Sequence, residues 1–132
     1  MDREFDTVVE AIHESDTRYK PDSYAFVMEA LAYTQKKFKA QRHVSAQEIL
    51  DGMKELLLVQ YGPMAIAVLE YWGIKTTEDF GNIIFNLIEC KILSKTEEDN
   101  FERFRNGYDF QEVFCQDYRE QLLKRISRMR SA

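Results

Sequence analysis

Apolar residues recur at helical spacing along nearly the whole chain, and the polar and glycine breaks between them predict five to six helices. Phe5, Val8, Val9 and Ile12 follow i, i+3, i+4, i+7 and give a first amphipathic helix that "ESDTRYKPDS" interrupts. Pro21 suits the first turn of a second helix, about Ser23 to Phe38, with Asp22 or Ser23 as its cap. Tyr24, Val27, Met28 and Leu31 lie on one side of it and Phe26, Ala30 and Tyr33 on the other, so it is expected to run through the middle of the domain. A basic connection, "QKKFKAQRH", follows.

The next boundaries come from capping chemistry. Ser45 and Glu48 in "SAQE" have capping-box spacing and open a third helix that turns Ile49, Met53, Leu56 and Leu57 inward. "YGP" stops it: Gly62 suits a left-handed cap and Pro63 the start of a new helix. A short fourth helix, Met64 to Trp72, ends at Gly73. Thr76 or Thr77 caps the fifth, whose stripe of Phe80, Ile83, Ile84, Leu87 and Ile88 is the most regular in the chain. "KILSKTEED" reads equally as a short strand or a loop, and residues 92–108 as a wing or a loop. Asp109 with Glu112 repeats the capping-box spacing and opens a last helix carrying Phe110, Val113, Phe114, Tyr118, Leu122 and Ile126.

The predicted fold class is therefore mainly α, a single helical domain over residues 1–118 followed by a basic amphipathic extension over 119–132. The middle has the outline of a helix-turn-helix with, at most, a short β-hairpin for a wing. A chain of 132 residues, 45 % hydrophobic, with nine Phe, seven Tyr and one Trp, can bury a core without metal or disulfides. The acidic start, "MDREFDTVVE", has no export signature, and the longest apolar run, "MAIAVL", is far short of the roughly 20 residues of a membrane span. Cys90 and Cys115 stand outside any CxxC pattern and are expected to be reduced and packed.

Charge changes the picture at one end. The formal net charge is −5, but residues 119–132 hold five basic side chains against Glu120, a net of +4 that leaves −9 for the rest. An acidic body with a basic tail is not a whole-domain polyanion binder. Lys124, Arg125, Arg128 and Arg130 are the candidate anion-binding residues, beside an apolar stripe of Leu122, Ile126 and Met129. That stripe lacks Trp and Phe, which argues against a membrane role. Docking on the acidic body of the same or a paired chain is the expectation.

A recognition helix must offer Arg, Lys, Asn or Gln to base edges. With its stripe inward, the fifth helix turns out Glu78, Asp79, Asn82, Phe85, Asn86 and Glu89, half of them acidic. Phe85 ringed by Asn82, Asn86 and Glu89 is the candidate protein-interaction face, unless the C-terminal helix or the "FERF" segment covers it. His13 and His43 lie in no catalytic motif, "TEEDNFE" lacks the order of a calcium loop, and neither GxxxxGK nor GxGxxG occurs. No catalytic, cofactor-binding or metal-ligating residue is assigned.

The segments "FVMEALAYTQ", "RHVSAQEILDGM", "QYGPMA", "LEYWGIKTTEDFGNIIFNLIE", "LSKTEED" and "YDFQEVF" together resemble a family of short bacterial proteins known mainly from planctomycetes and verrucomicrobia. The resemblance spans about residues 17–114 and carries no activity with it. It implies a bacterial, cytoplasmic setting. The expected function is non-catalytic binding of another protein or of a second copy. The alternative is a nucleic-acid-binding regulator using the basic segments 36–43 and 119–130.

Overall fold

Caps and glycines place the helix ends close to where the sequence puts them. A computed structural model describes residues 3–38, 44–93 and 101–131, with side chains in the last stretch described for 103–115 and 119–129. The helices are α1 (Arg3–Ser15), α2 (Pro21–Lys37), α3 (Ala46–Tyr61), α4 (Ala65–Trp72), α5 (Thr77–Glu89) and α6 (Asp117–Ser131). Single 3-10 turns occupy Gly62–Met64 and Phe101–Phe104, and a π-helical turn at Glu112–Gln116 leads into α6. The fold is mainly α, with no strand among the described residues. The segment 92–108 accordingly shows no hairpin in its described part; residues 94–100, which include all of "SKTEED", lie outside the described residues.

Ser45 makes both bonds of its capping box: its hydroxyl accepts from the Glu48 N–H at 3.1 Å, and its own N–H donates to Glu48 Oε1 at 2.9 Å. At α2 the cap differs from expectation. Lys20 is the N-cap, Pro21 opens the helix, and the Ser23 hydroxyl donates back to the Lys20 carbonyl at 2.7 Å. Gly73 ends α4 in the left-handed region at φ +87°, with its N–H on the Glu70 carbonyl and the Ile74 N–H on that of Leu69. Those two bonds are the Schellman pattern.

α2 is the central helix. Tyr24 and Val27 on one face and Phe26 and Ala30 on the other are all buried, and the helix packs against α1, α3, α4 and α5. α4 rests on α2 and α3. α5 is gripped from a second side as well. Its stripe of Phe80, Ile83, Ile84 and Leu87 is buried, and the Phe101–Phe104 turn lies along it. Phe104 is fully buried, close over Gly81, where a Cβ would stand 3.1 Å from the Phe104 side chain. The buried Thr77 hydroxyl clips this turn in place, donating to the Phe104 carbonyl and accepting from the Gly107 N–H.

The last apolar stripe divides in two. Val113 and Phe114 are buried against the body, whereas every side chain described from Arg119 to Met129 is exposed. Docking of the basic helix on its own body is thus corrected: α6 stands out in solvent. The reason lies in the stripe itself, since Leu122, Ile126 and Met129 continue helically from residues that leave the body at the π turn.

Candidate binding groove and basic helix

The candidate face on α5 is largely absorbed by the fold. The Asn82 amide donates to the Tyr19 hydroxyl at 3.0 Å, and that hydroxyl donates to Asp79. The Asn86 amide donates to Asp16 Oδ2 at 3.0 Å and to the Tyr24 hydroxyl at 2.9 Å. Both asparagines therefore anchor α5 to α2 and to the segment after α1. Arg18 grips the same Asp16 carboxylate from outside at 2.7 Å and holds its pKa well below the usual carboxylate range. Burial pushes the Tyr19 and Tyr24 hydroxyls up, keeping both neutral, Tyr19 as a donor to Asp79 and Tyr24 as an acceptor from Asn86.

Of α5, only Glu78, Phe85 and Glu89 are exposed. Phe85 is 43 % exposed, and Phe104 of the "FERF" turn lies over Gly81. A helix that turns out two glutamates and a phenylalanine has nothing to offer base edges or phosphates. The helix, glycine turn and helix are present along the chain, but α5 is an interior helix.

A different concavity emerges between α2, the end of α3 and α4, with a volume of about 540 Å³. One wall is Asp22, Ala25, Phe26 and Glu29, the i, i+3, i+4, i+7 face of α2. The other is Tyr61 and Met64 from the α3–α4 turn with Ala67, Val68, Tyr71 and Trp72 from α4. Its floor is aromatic: the Phe26 and Trp72 ring centroids are 5.2 Å apart, and Tyr61 stands edge-on to Trp72 at 5.9 Å. Lys20 N–H bonds to the Trp72 carbonyl at 3.0 Å and fixes the end of α4 against the start of α2.

The rim is acidic. Asp22 and Glu29 are exposed, and Glu29 accepts from the Gln60 amide at 2.6 Å. Burial first, then the Glu29 and Asp22 charges, push the Tyr61 hydroxyl up. The Lys20 ammonium sits 5.3 Å from the Tyr71 ring centroid at the edge of the trough. Aromatic floor and carboxylate rim together suit a cation carried on an apolar segment.

This groove is not marked by any motif in the sequence. Its signal was there in the α2 face, which mixes Asp22 and Glu29 with Ala25 and Phe26, and in the adjacent Tyr71 and Trp72 of "LEYWG".

On α6, Lys124, Arg125 and Arg128 fall on one side at about 100° per residue, opposite Leu122, Leu123, Ile126 and Met129. The side chain of Arg130 lies outside the described residues. In the other basic segment, Lys36 and Lys37 are exposed, Lys37 is paired with Glu55, and residues 39–43 lie outside the described residues. His13 Nδ1 donates to the Tyr19 carbonyl at 2.9 Å. Cys90 and Cys115 are exposed, correcting the expectation that they pack: Cys90 caps α5 beyond its last buried turn, and Cys115 points out of the π turn. Among the described residues no cluster of His, Cys, Asp and Glu could hold a metal, and no helix is long and apolar enough to cross a membrane.

Neither a family model, nor a curated protein, nor a solved structure matches this chain.

Proposed function

We propose that the chain is a non-catalytic protein-interaction module of a bacterial cytoplasmic protein, with α6 as its partner-binding helix. The observation that carries the reading is the exposure of Leu122, Leu123, Ile126 and Met129 along a helix whose described side chains all face solvent. Burying such a side chain contributes about 1.5–3 kcal/mol, so an uncovered stripe of four is a strong driving force for association. Helix formation adds to it. A helix of 15 residues without packing is marginal in water, and a partner that covers its apolar face supplies what the body does not.

The alternative reading, a nucleic-acid-binding regulator, draws support from the same basic side chains. It loses support from α5, whose exposed residues are acidic and aromatic, and from a groove rimmed by carboxylates.

Capture from native cell extract separates the two, using the immobilised full chain beside a variant carrying Arg125→Glu and Arg128→Glu. The expected result is a protein retained by the full chain and lost from the variant. Duplex DNA should bind no more tightly than about 10 μM at physiological salt, within the non-specific range. Submicromolar, sequence-dependent duplex binding that the same two substitutions abolish would overturn the reading.

A further inference from the structure

We propose that the groove between α2 and α4 receives α6 of a second copy of this chain. The inference rests on the reading of α6 as a partner-binding helix and assigns that partner. Two exposed, complementary surfaces occur on one molecule. The helix brings Leu122, Ile126 and Met129 with Arg125 and Arg128 along one side of that stripe; the groove brings an aromatic and aliphatic trough with Asp22 and Glu29 on its α2 wall. At the edge of the groove the Lys20 ammonium lies over the Tyr71 ring, so one of its rings already meets a cation.

Electrostatics chooses among the ways two copies could meet. Pairing α6 with α6 would set one +4 segment beside another, which opposes association. Setting α6 against a body of net −9 does the reverse, and Asp22 and Glu29 put part of that negative charge at the mouth of the trough. Seven residues apart on α2, these carboxylates are about 10 Å apart along the axis, within reach of Arg125 and Arg128 on a helix lying in the trough. Guanidinium groups suit both features, pairing with carboxylates and stacking on rings. Exchange of helices in both directions closes a two-fold dimer and doubles the buried area, as a stable interface requires.

Trp72, the only tryptophan, lies in the groove and reports its occupancy. The test is sedimentation of the full chain from about 1 μM to 1 mM, the span of moderate affinities, with Trp72 emission followed over the same range. A monomer–dimer equilibrium accompanied by a shift in Trp72 emission is expected. Reversing the groove with Asp22→Lys and Glu29→Lys, or the helix with Arg125→Glu and Arg128→Glu, should each weaken association by about tenfold or more. All four positions are exposed, and circular dichroism confirms that each variant is folded. An equimolar mixture of the two variants should regain dimer, because each reversed groove then meets a reversed helix.

A full chain that stays monomeric throughout, a dimer indifferent to groove reversal, or Trp72 emission unchanged on association would each overturn this assignment. Failure of the underlying reading has a different signature: the Arg125→Glu, Arg128→Glu chain would lose duplex binding in place of a protein partner.

Discussion

Phe104→Ala is expected to lower stability by about 3–5 kcal/mol, the range for emptying a buried phenylalanine site. Phe104 is 2 % exposed, stands close over Gly81 of α5, and has its carbonyl held by the buried Thr77 hydroxyl. The segment that reads from sequence as a wing or a loop is therefore part of the core at this point. Phe85→Ala is the matched control. At 43 % exposure it should cost only about 1 kcal/mol, as partly exposed positions do. Urea midpoints of the two variants make the comparison. Equal, small losses would show that the 101–104 turn does not pack on α5.

Gly73→Ala should cost about 2–4 kcal/mol, combining left-handed strain with overpacking. The residue sits at φ +87°, and a Cβ there would stand 2.1 Å from the Arg18 carbonyl oxygen. Backbone, not a flexible side chain, occupies the space, so relief requires moving the Arg18–Lys20 segment. That segment carries Tyr19, whose hydroxyl meets Asp79 and Asn82, and Lys20, whose N–H holds the end of α4. The loss should thus be cooperative, visible as a lowered denaturation midpoint. A midpoint equal to that of the unsubstituted chain would contradict the Schellman ending of α4.

Local chemistry was the legible part of this fold. Capping boxes, glycine stops and the 3.6-residue period are set within a few residues, and Ser45, Gly73 and the α5 stripe sit where their types require. What the sequence hid depends on contacts far along the chain. Asn82 and Asn86 look like a free polar rim until Tyr19, Tyr24 and Asp16, more than sixty positions away, take their amides. Thr77 looks like a cap until Phe104 arrives over it. The groove was hidden for the same reason, since its walls come from α2 and α4 and neither wall alone marks a site. For α6 the pattern was legible, and of its two expected destinations its own body is the one the exposed stripe does not meet. Periodicity reports that one face of a helix is apolar, and is silent on which surface covers that face.

The measurement that tests the account most directly is thermal denaturation of a chain ending at Leu123, taken beside the full chain at a dilution where both sediment as monomers. With α6 standing clear of the body, the loss of Lys124 to Ala132 should leave the midpoint within about 2 °C, while concentration-dependent association disappears. A midpoint lowered by about 5 °C or more, with association intact, would contradict the account. It would mean that the basic helix is packed on its own body and that the binding surface lies elsewhere.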